Sequence, residues 1–194
     1  MIPKIEFLEY NFLLSLIDYF QKALDGKVVN NQSIIVIQSF SDKSNPYTSP
    51  SISIEILHRK NRSIGFQDYF GDIDNNTDIE EIEGTKLEYT VQINVYSNTR
   101  GSIHKWSSLL DNQLKIASKE SIPLNIYDDN GNIIKSSERF IDFDYSKDVT
   151  NKNMEPNVMT YDFHTIYEIK MSVLQLFGEA NEIIEKNNIN SEVK

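Results

Sequence analysis

Between Leu87 and Ala117 the spacing of apolar residues changes period within a few positions. Leu87, Tyr89, Val91, Ile93 and Val95 alternate with Glu88, Thr90, Gln92 and Asn94, the two-residue period of a strand buried on one face. After Asn98, Thr99, Arg100 and Gly101, which read as a turn, apolar residues recur as Ile103, Trp106, Leu109, Leu110 and Leu114, the stripe of an amphipathic helix. A half-buried strand that runs almost directly into a one-sided helix is the signature of a helix packed on a sheet.

The pattern before this point predicts a helix and then strands. Pro3 suits a first helical turn, Ile5, Leu8, Phe12, Leu16, Phe20 and Leu24 follow at spacings of three and four, and Gly26 is a stop. Phe7, Leu13, Leu14 and Ile17 widen the stripe, so this helix is expected to touch its own sheet and something besides. A deeply packed core helix is the ordinary explanation, and a partner contact is the other. Ile34-Ile35-Val36-Ile37 reads as a short buried strand, and Ile52, Ile54 and Ile56 alternate with Ser51, Ser53 and Glu55 in another. Ser44-Asn45-Pro46 and Ser49-Pro50 mark an irregular loop between them. Residues 58 to 70 hold Ile64, Phe66, Tyr69 and Phe70, too aromatic for a free linker, and are expected to form a strand or a packed loop.

Beyond the central helix, Leu124 and Ile126 face Ile133 and Ile134 across Asp129-Asn130-Gly131-Asn132. Asn-Gly favours the positive backbone angles of a tight turn, so a β-hairpin is predicted, with Pro123 suiting a sheet edge and Phe140, Ile141 and Phe143 continuing the second arm. Residues 144 to 159 look like an excursion away from the sheet. Tyr161, Phe163, Tyr167, Ile169, Met171 and Val173 then share one face of a strand that could run to Phe177, about 50 Å long, which must bend, bulge or reach past its own domain. The tail from Glu179 is polar, with helical character expected near Ile183 and Ile184. The expected architecture is α+β: a single mixed, mainly antiparallel sheet with an N-terminal helix and a central helix packed on it, plus the hairpin. Residues 1–178 form one domain and residues 179–194 a polar C-terminal tail. No internal repeat is visible.

Composition narrows the chemistry. A chain of 194 residues can bury a core without staples, and with no cysteine it has neither disulfides nor thiolate ligands or nucleophiles. The longest apolar run, Phe12-Leu13-Leu14-Ser15-Leu16-Ile17, stops at Asp18, short of the ~20 residues of a membrane helix. Glu6, Glu9 and Asp18 break any signal-peptide layout, and an intracellular origin is expected. The net charge of −10 disfavours nonspecific binding to nucleic acid; it reads as solubility, or as a surface past which DNA must slide without sticking.

Two constellations invite chemical readings. Counted from Asp72, oxygen-bearing side chains fall at positions one, three, five, seven and nine, with Ile79 at eight and Glu83 at twelve, in the manner of a calcium-binding EF-hand loop. Thr77 stands where that loop needs glycine and no helix pair is predicted, so a solvated acidic excursion is expected, with only weak calcium binding. Glu168-Ile169-Lys170 with Asp142 or Asp144 loosely fits a Mg-dependent nuclease, but alternating charges on a strand's wet face produce Glu-x-Lys by chance. His58, His104 and His164 show no metal spacing, and Arg100-Gly101 before the central helix reads as a helix-starting turn rather than an anion site. No glycine-rich phosphate loop or Gly-x-Ser-x-Gly elbow occurs. The residues therefore nominate no catalytic, cofactor-binding or metal-binding side chain, and no enzyme activity is expected.

The order of elements, with Leu87-Glu-Tyr-Thr-Val-Gln-Ile-Asn-Val-Tyr-Ser97 leading into a helix that contains Trp106-Ser-Ser-Leu-Leu-Asp-Asn-Gln-Leu114, then a hairpin and a long last strand, resembles the tail terminator, or tail-completion, proteins of tailed bacteriophages and related contractile particles. The resemblance covers most of the chain and rests on element order and the Val-Tyr-Ser-to-helix junction. It implies a structural virion protein of the tail and neck, assembled in the bacterial cytoplasm. Such a protein forms a homo-oligomeric ring, usually a hexamer, that caps the finished tube and stops its polymerisation. The implied partners are the protein itself, the tube protein, the sheath protein where the tail contracts, and the head-tail connector, with DNA passing through the lumen unbound. Another neck or connector component is the alternative within this class; outside it stand a Mg-dependent nuclease-like enzyme and a host-encoded binding module with no phage connection.

Overall fold

The computed structural model describes residues 7–38, 50–63, 69–74, 78–154 and 163–182. Along the chain run α1 (Leu8–Leu24), β1 (Ile35–Gln38), β2 (Ser51–Ser63), β3 (Tyr69–Asp74), β4 (Asp78–Ser97), α2 (Arg100–Glu120), β5 (Ile122–Tyr127), β6 (Ile133–Asp142), α3 (Tyr145–Asp148), β7 (Val149–Met154) and β8 (Phe163–Glu182). The strands form one curled sheet in the order β1-β2-β4-β8-β6-β5, with β3 paired to β4 and β7 to β8. Among the described residues only β1 and β2 run parallel; the other paired strands are antiparallel. The expected α+β architecture, with a mixed and mainly antiparallel sheet under an N-terminal and a central helix, is the one observed.

The junction between β4 and α2 explains why strand and helix patterns abut in sequence. Ser97 closes the strand, and Thr99, in an extended conformation, caps the helix by accepting the Ser102 N–H on its hydroxyl at 3.2 Å. Ile103, Trp106, Leu110, Leu114 and Ala117 then face the sheet and are all buried. They meet Val91, Ile93, Ile169 and Tyr167 in one core, which α1 enters through Phe12, Leu16 and Phe20. The Phe12 ring lies 4.3 Å from that of Tyr89, centroid to centroid.

The wide stripe on α1 is explained by what it spans. Gln21 Oε1 accepts the Val36 N–H of β1 at 2.8 Å, while Asn11 Oδ1 and Ser15 Oγ each accept at 2.9 Å from Tyr127 N–H and Asn125 N–H of β5. Strands β1 and β5 are the two ends of the strand order, so α1 bridges the sheet's edges and satisfies backbone groups that pairing leaves over. Pro3 and Ile5 lie outside the described residues; α1 begins at Leu8.

The hairpin forms where Asn130-Gly131 predicted it. Gly131 has φ of 80°, and Asp128 holds the turn by accepting the N–H groups of Asn130 and Asn132. Pro123 lies on the terminal strand β5, as its missing donor requires.

Two expectations are corrected. Residues 144 to 159 do not leave the sheet as a whole: Tyr145–Asp148 make a single helical turn, and Val149–Met154 add a strand to β8, Val149 opposite Ile169 and Met154 opposite His164. Residues 155–159 lie outside the described ones. The last strand runs on to Glu182, four residues into the segment read as a polar tail, because β4 supplies a ladder partner that far; Ile183 and Ile184 lie outside the described residues. The excess length is taken up by pairing, since β4 and β8 match over all 20 residues, from Ser97 opposite Phe163 to Asp78 opposite Glu182, with no register shift.

Candidate functional site

The face of the sheet turned away from α1 and α2 carries residues from three strands, all but Ile166 of them polar. Register sets them in rows: Ser53, Asn94 and Ile166; Glu55, Gln92 and Glu168; His58, Thr90 and Lys170; Lys60, Glu88 and Ser172. A bulge between Ile56 and His58 leaves Leu57 half exposed and shifts β2 so that His58 and Lys60 join this face.

At one end of the face the polar groups satisfy each other. Asn94 Nδ2 donates to Ser53 Oγ at 3.2 Å, and Gln92 Nε2 donates to Glu55 Oε1 at 2.8 Å and to Asn94 Oδ1 at 2.9 Å. His164 Nε2–H donates to the same Asn94 oxygen at 3.0 Å, and its ring stacks on Tyr96 with centroids 4.4 Å apart. Burial pushes the His164 pKa below its usual value and keeps the ring neutral. This ladder ties β2, β4 and β8 together away from the apolar core.

At the other end the groups face a groove of about 490 Å³, lined by His58, Lys60, Lys86, Glu88, Asp148 and Lys170 among others. His58 and the three lysines are exposed, and among the described residues no lysine of the groove is ion-paired. A cationic groove is unexpected in a chain of net charge −10. Its lysines come from β2, β4 and β8, so no sequence window shows them together; the register does.

Past the buried Leu87–Val173 pair the β4–β8 ribbon continues for nine pairs, from Lys86 opposite Leu174 to Asp78 opposite Glu182. Strand β3 flanks β4 there, whereas β8 has no partner on its other edge beyond Val173 among the described residues. This three-stranded arm, made of Tyr69–Asp74 and residues 78–84 and 176–182, contains eight aspartates and glutamates and neither lysine nor arginine.

The sequence candidates fall in separate places. Asp72 and Asp74 lie in β3 opposite Glu81 and Ile79 of β4, so the calcium-loop count falls largely on two extended strands rather than on a wrapped loop, and residues 75–77 lie outside the described ones. Asp142 stands opposite Ser172, four residues along β8 from Glu168, which puts the two about 13 Å apart, too far to share one ion. Asp142 accepts the Ser121 hydroxyl at 2.5 Å. Asp144 caps α3: hydrogen bonds from Ser146 Oγ, Lys147 Nζ and Ser146 N–H hold its carboxyl at a pKa of about 2. No group of three or more His, Cys, Asp or Glu among the described residues is placed to hold a metal ion. His104 is exposed on α2, His58 lines the groove and His164 belongs to the ladder. Arg100 and Gly101 form the first turn of α2, whose cap is Thr99.

The fold and this face thus define an α+β chain with a curled mixed sheet, a cationic groove and an acidic arm. No protein-family model matches the chain, and no curated protein matches it in sequence.

Proposed function

We propose that this chain is a structural protein of a bacteriophage tail or a related contractile particle: a tail terminator that forms a ring, a hexamer in the family it resembles, at the head-proximal end of the tube. There it stops polymerisation of the tube, and of the sheath where the tail contracts, and offers a docking face to the connector. The order of elements from α1 to β8 supports this reading. The observation that carries it is the arm, in which β4 and β8 stay paired for nine positions past the buried Leu87–Val173 pair, with one edge of β8 open beyond Val173 among the described residues. An open edge invites pairing with a neighbour, and cyclic closure uses every such edge. The acidic balance of the chain suits a lumen through which DNA slides without adhering.

The test is genetic. Removing the gene from the genome that carries it should yield tails of uncontrolled length that fail to join heads. Tails of normal length with heads attached would rule out the terminator role in favour of another neck station or an unrelated binding protein.

A further inference from the structure

The charges on the ribbon are segregated along its length. The arm holds Asp72, Asp74, Asp78, Glu80, Glu81 and Glu83 in β3 and β4 alone, with Glu179 and Glu182 on β8 beside them. Lys86 and Lys170 lie further along β4 and β8, and Lys60 on the adjacent β2, all exposed around a groove of about 490 Å³ and without ion pairs among the described residues. Glu88 and Asp148 also line the groove, so its lysines stand among two carboxylates. Within one copy the arm and the β4 and β8 parts of the groove are successive stretches of the same two strands, paired in one register throughout, so the arm leads away from its own groove.

We infer that the groove receives the acidic arm of a second copy of this chain. The inference rests on the ring reading and names its interface: each copy offers its arm to one neighbour and its groove to another, a head-to-tail contact that closes when the rotation per copy divides the circle. Complementary potentials steer such an encounter and set its register, and because the charges lie at the surface the contact weakens with salt. Each exposed pair contributes little by itself, so the contact depends on several lysines meeting several carboxylates at once.

The experiment uses the full-length protein and two charge-reversed variants, Lys60→Glu/Lys86→Glu/Lys170→Glu and Glu80→Lys/Glu81→Lys/Glu83→Lys. Mass is measured by sedimentation up to about millimolar protein, at an ionic strength where the Debye length is ~30 Å and again where it is ~3 Å. Circular dichroism confirms that each variant is folded. The wild type should associate at low salt and dissociate at high salt, with association at least tenfold weaker in either variant alone and regained when the two are mixed. Carbodiimide cross-linking of mixed light- and heavy-isotope wild type reads the same contact without substitution, joining the groove lysines of one copy to the arm carboxylates of another. A wild type that stays monomeric throughout, variants that associate like the wild type, or cross-links confined to other residues would overturn the inference. So would a monomeric wild type whose lysines retain a DNA duplex, which would give the groove to nucleic acid. Loss of the terminator role in the genetic test leaves this contact standing, and loss of this contact leaves the genetic result unchanged, so the two failures are distinct.

Discussion

The side-chain oxygen of Asn11 accepts the backbone N–H of Tyr127 at 2.9 Å, across 116 positions of sequence. Asn11 is buried on a helix whose neighbours are apolar, and Tyr127 belongs to a terminal strand with a single strand partner. One turn later Ser15 does the same for Asn125 while donating to the Asn11 carbonyl at 2.7 Å. Two polar residues in an apolar stripe thus seal the edge of the sheet.

Asn11→Ala leaves the Tyr127 N–H buried without its acceptor, which costs about 1–3 kcal/mol. Urea unfolding should show a lower midpoint with an unchanged slope, and a similar loss for Ser15→Ala. An unchanged midpoint in both would mean that α1 does not satisfy this edge.

Sequence alternation revealed β4, α2 and β8 because each buries one face and exposes the other, so period and burial coincide. Asn130-Gly131 and Pro123 were equally legible, since backbone chemistry alone restricts where they fit. Strand β7 was not: Val149-Thr-Asn-Lys-Asn-Met154 has no apolar alternation, and it is extended because β8 offers it a ladder partner. The same holds for the first residues of β4, whose acidic run reads as loop until its pairing with β8 is seen. The roles of Asn11 and Ser15 have no local signal, because their partners lie more than a hundred residues away. The groove depends on the Ile56/His58 bulge and on register, neither of which a single sequence encodes in a local window.

Leu110 is wholly buried between α2 and the sheet. Leu110→Ala should destabilise the protein by about 2–5 kcal/mol, read from denaturant unfolding, with the spectrum of the folded state retained. A loss under 1 kcal/mol would place α2 outside the core.

Thr99→Ala removes the hydroxyl that caps α2 and should cost about 1 kcal/mol, with Thr99→Ser close to wild type. Equal losses in the two variants would show that the methyl group, rather than the oxygen, matters at this junction.

Asp144 has a folded pKa of about 2 against an ordinary 3.8, so its contribution to α3 is complete above the ordinary value and is lost as pH falls through the folded one. The amide resonance of Ser146, which donates to this carboxylate, should titrate with a midpoint near 2. A midpoint near 4 would mean that the cap does not hold in solution.

His164 is depressed by burial, so the folded state favours the neutral ring: stability is full above about pH 6.5 and falls as the solution is acidified below it. Unfolding free energies measured between pH 8 and 5 should decline, and His164→Gln should flatten that decline. A slope that persists in the variant would assign it to other groups.

The order in which the strands are made carries a consequence of its own. β8 follows every other described strand in the chain, yet it lies in the interior of the sheet, between β4 and β6. A nascent chain that has emerged only as far as α3 has every strand from β1 to β6, but lacks the one that joins β4 to β6. Until β8 arrives, β4 presents a bare edge, a state prone to pair with another incomplete chain. Ser97 then waits for Phe163 and Asp78 for Glu182, long loop closures that slow the final step. A ribosome that stalls before residue 163 releases an open half-sheet rather than a smaller folded protein, so the sheet closes only once β8 has been made.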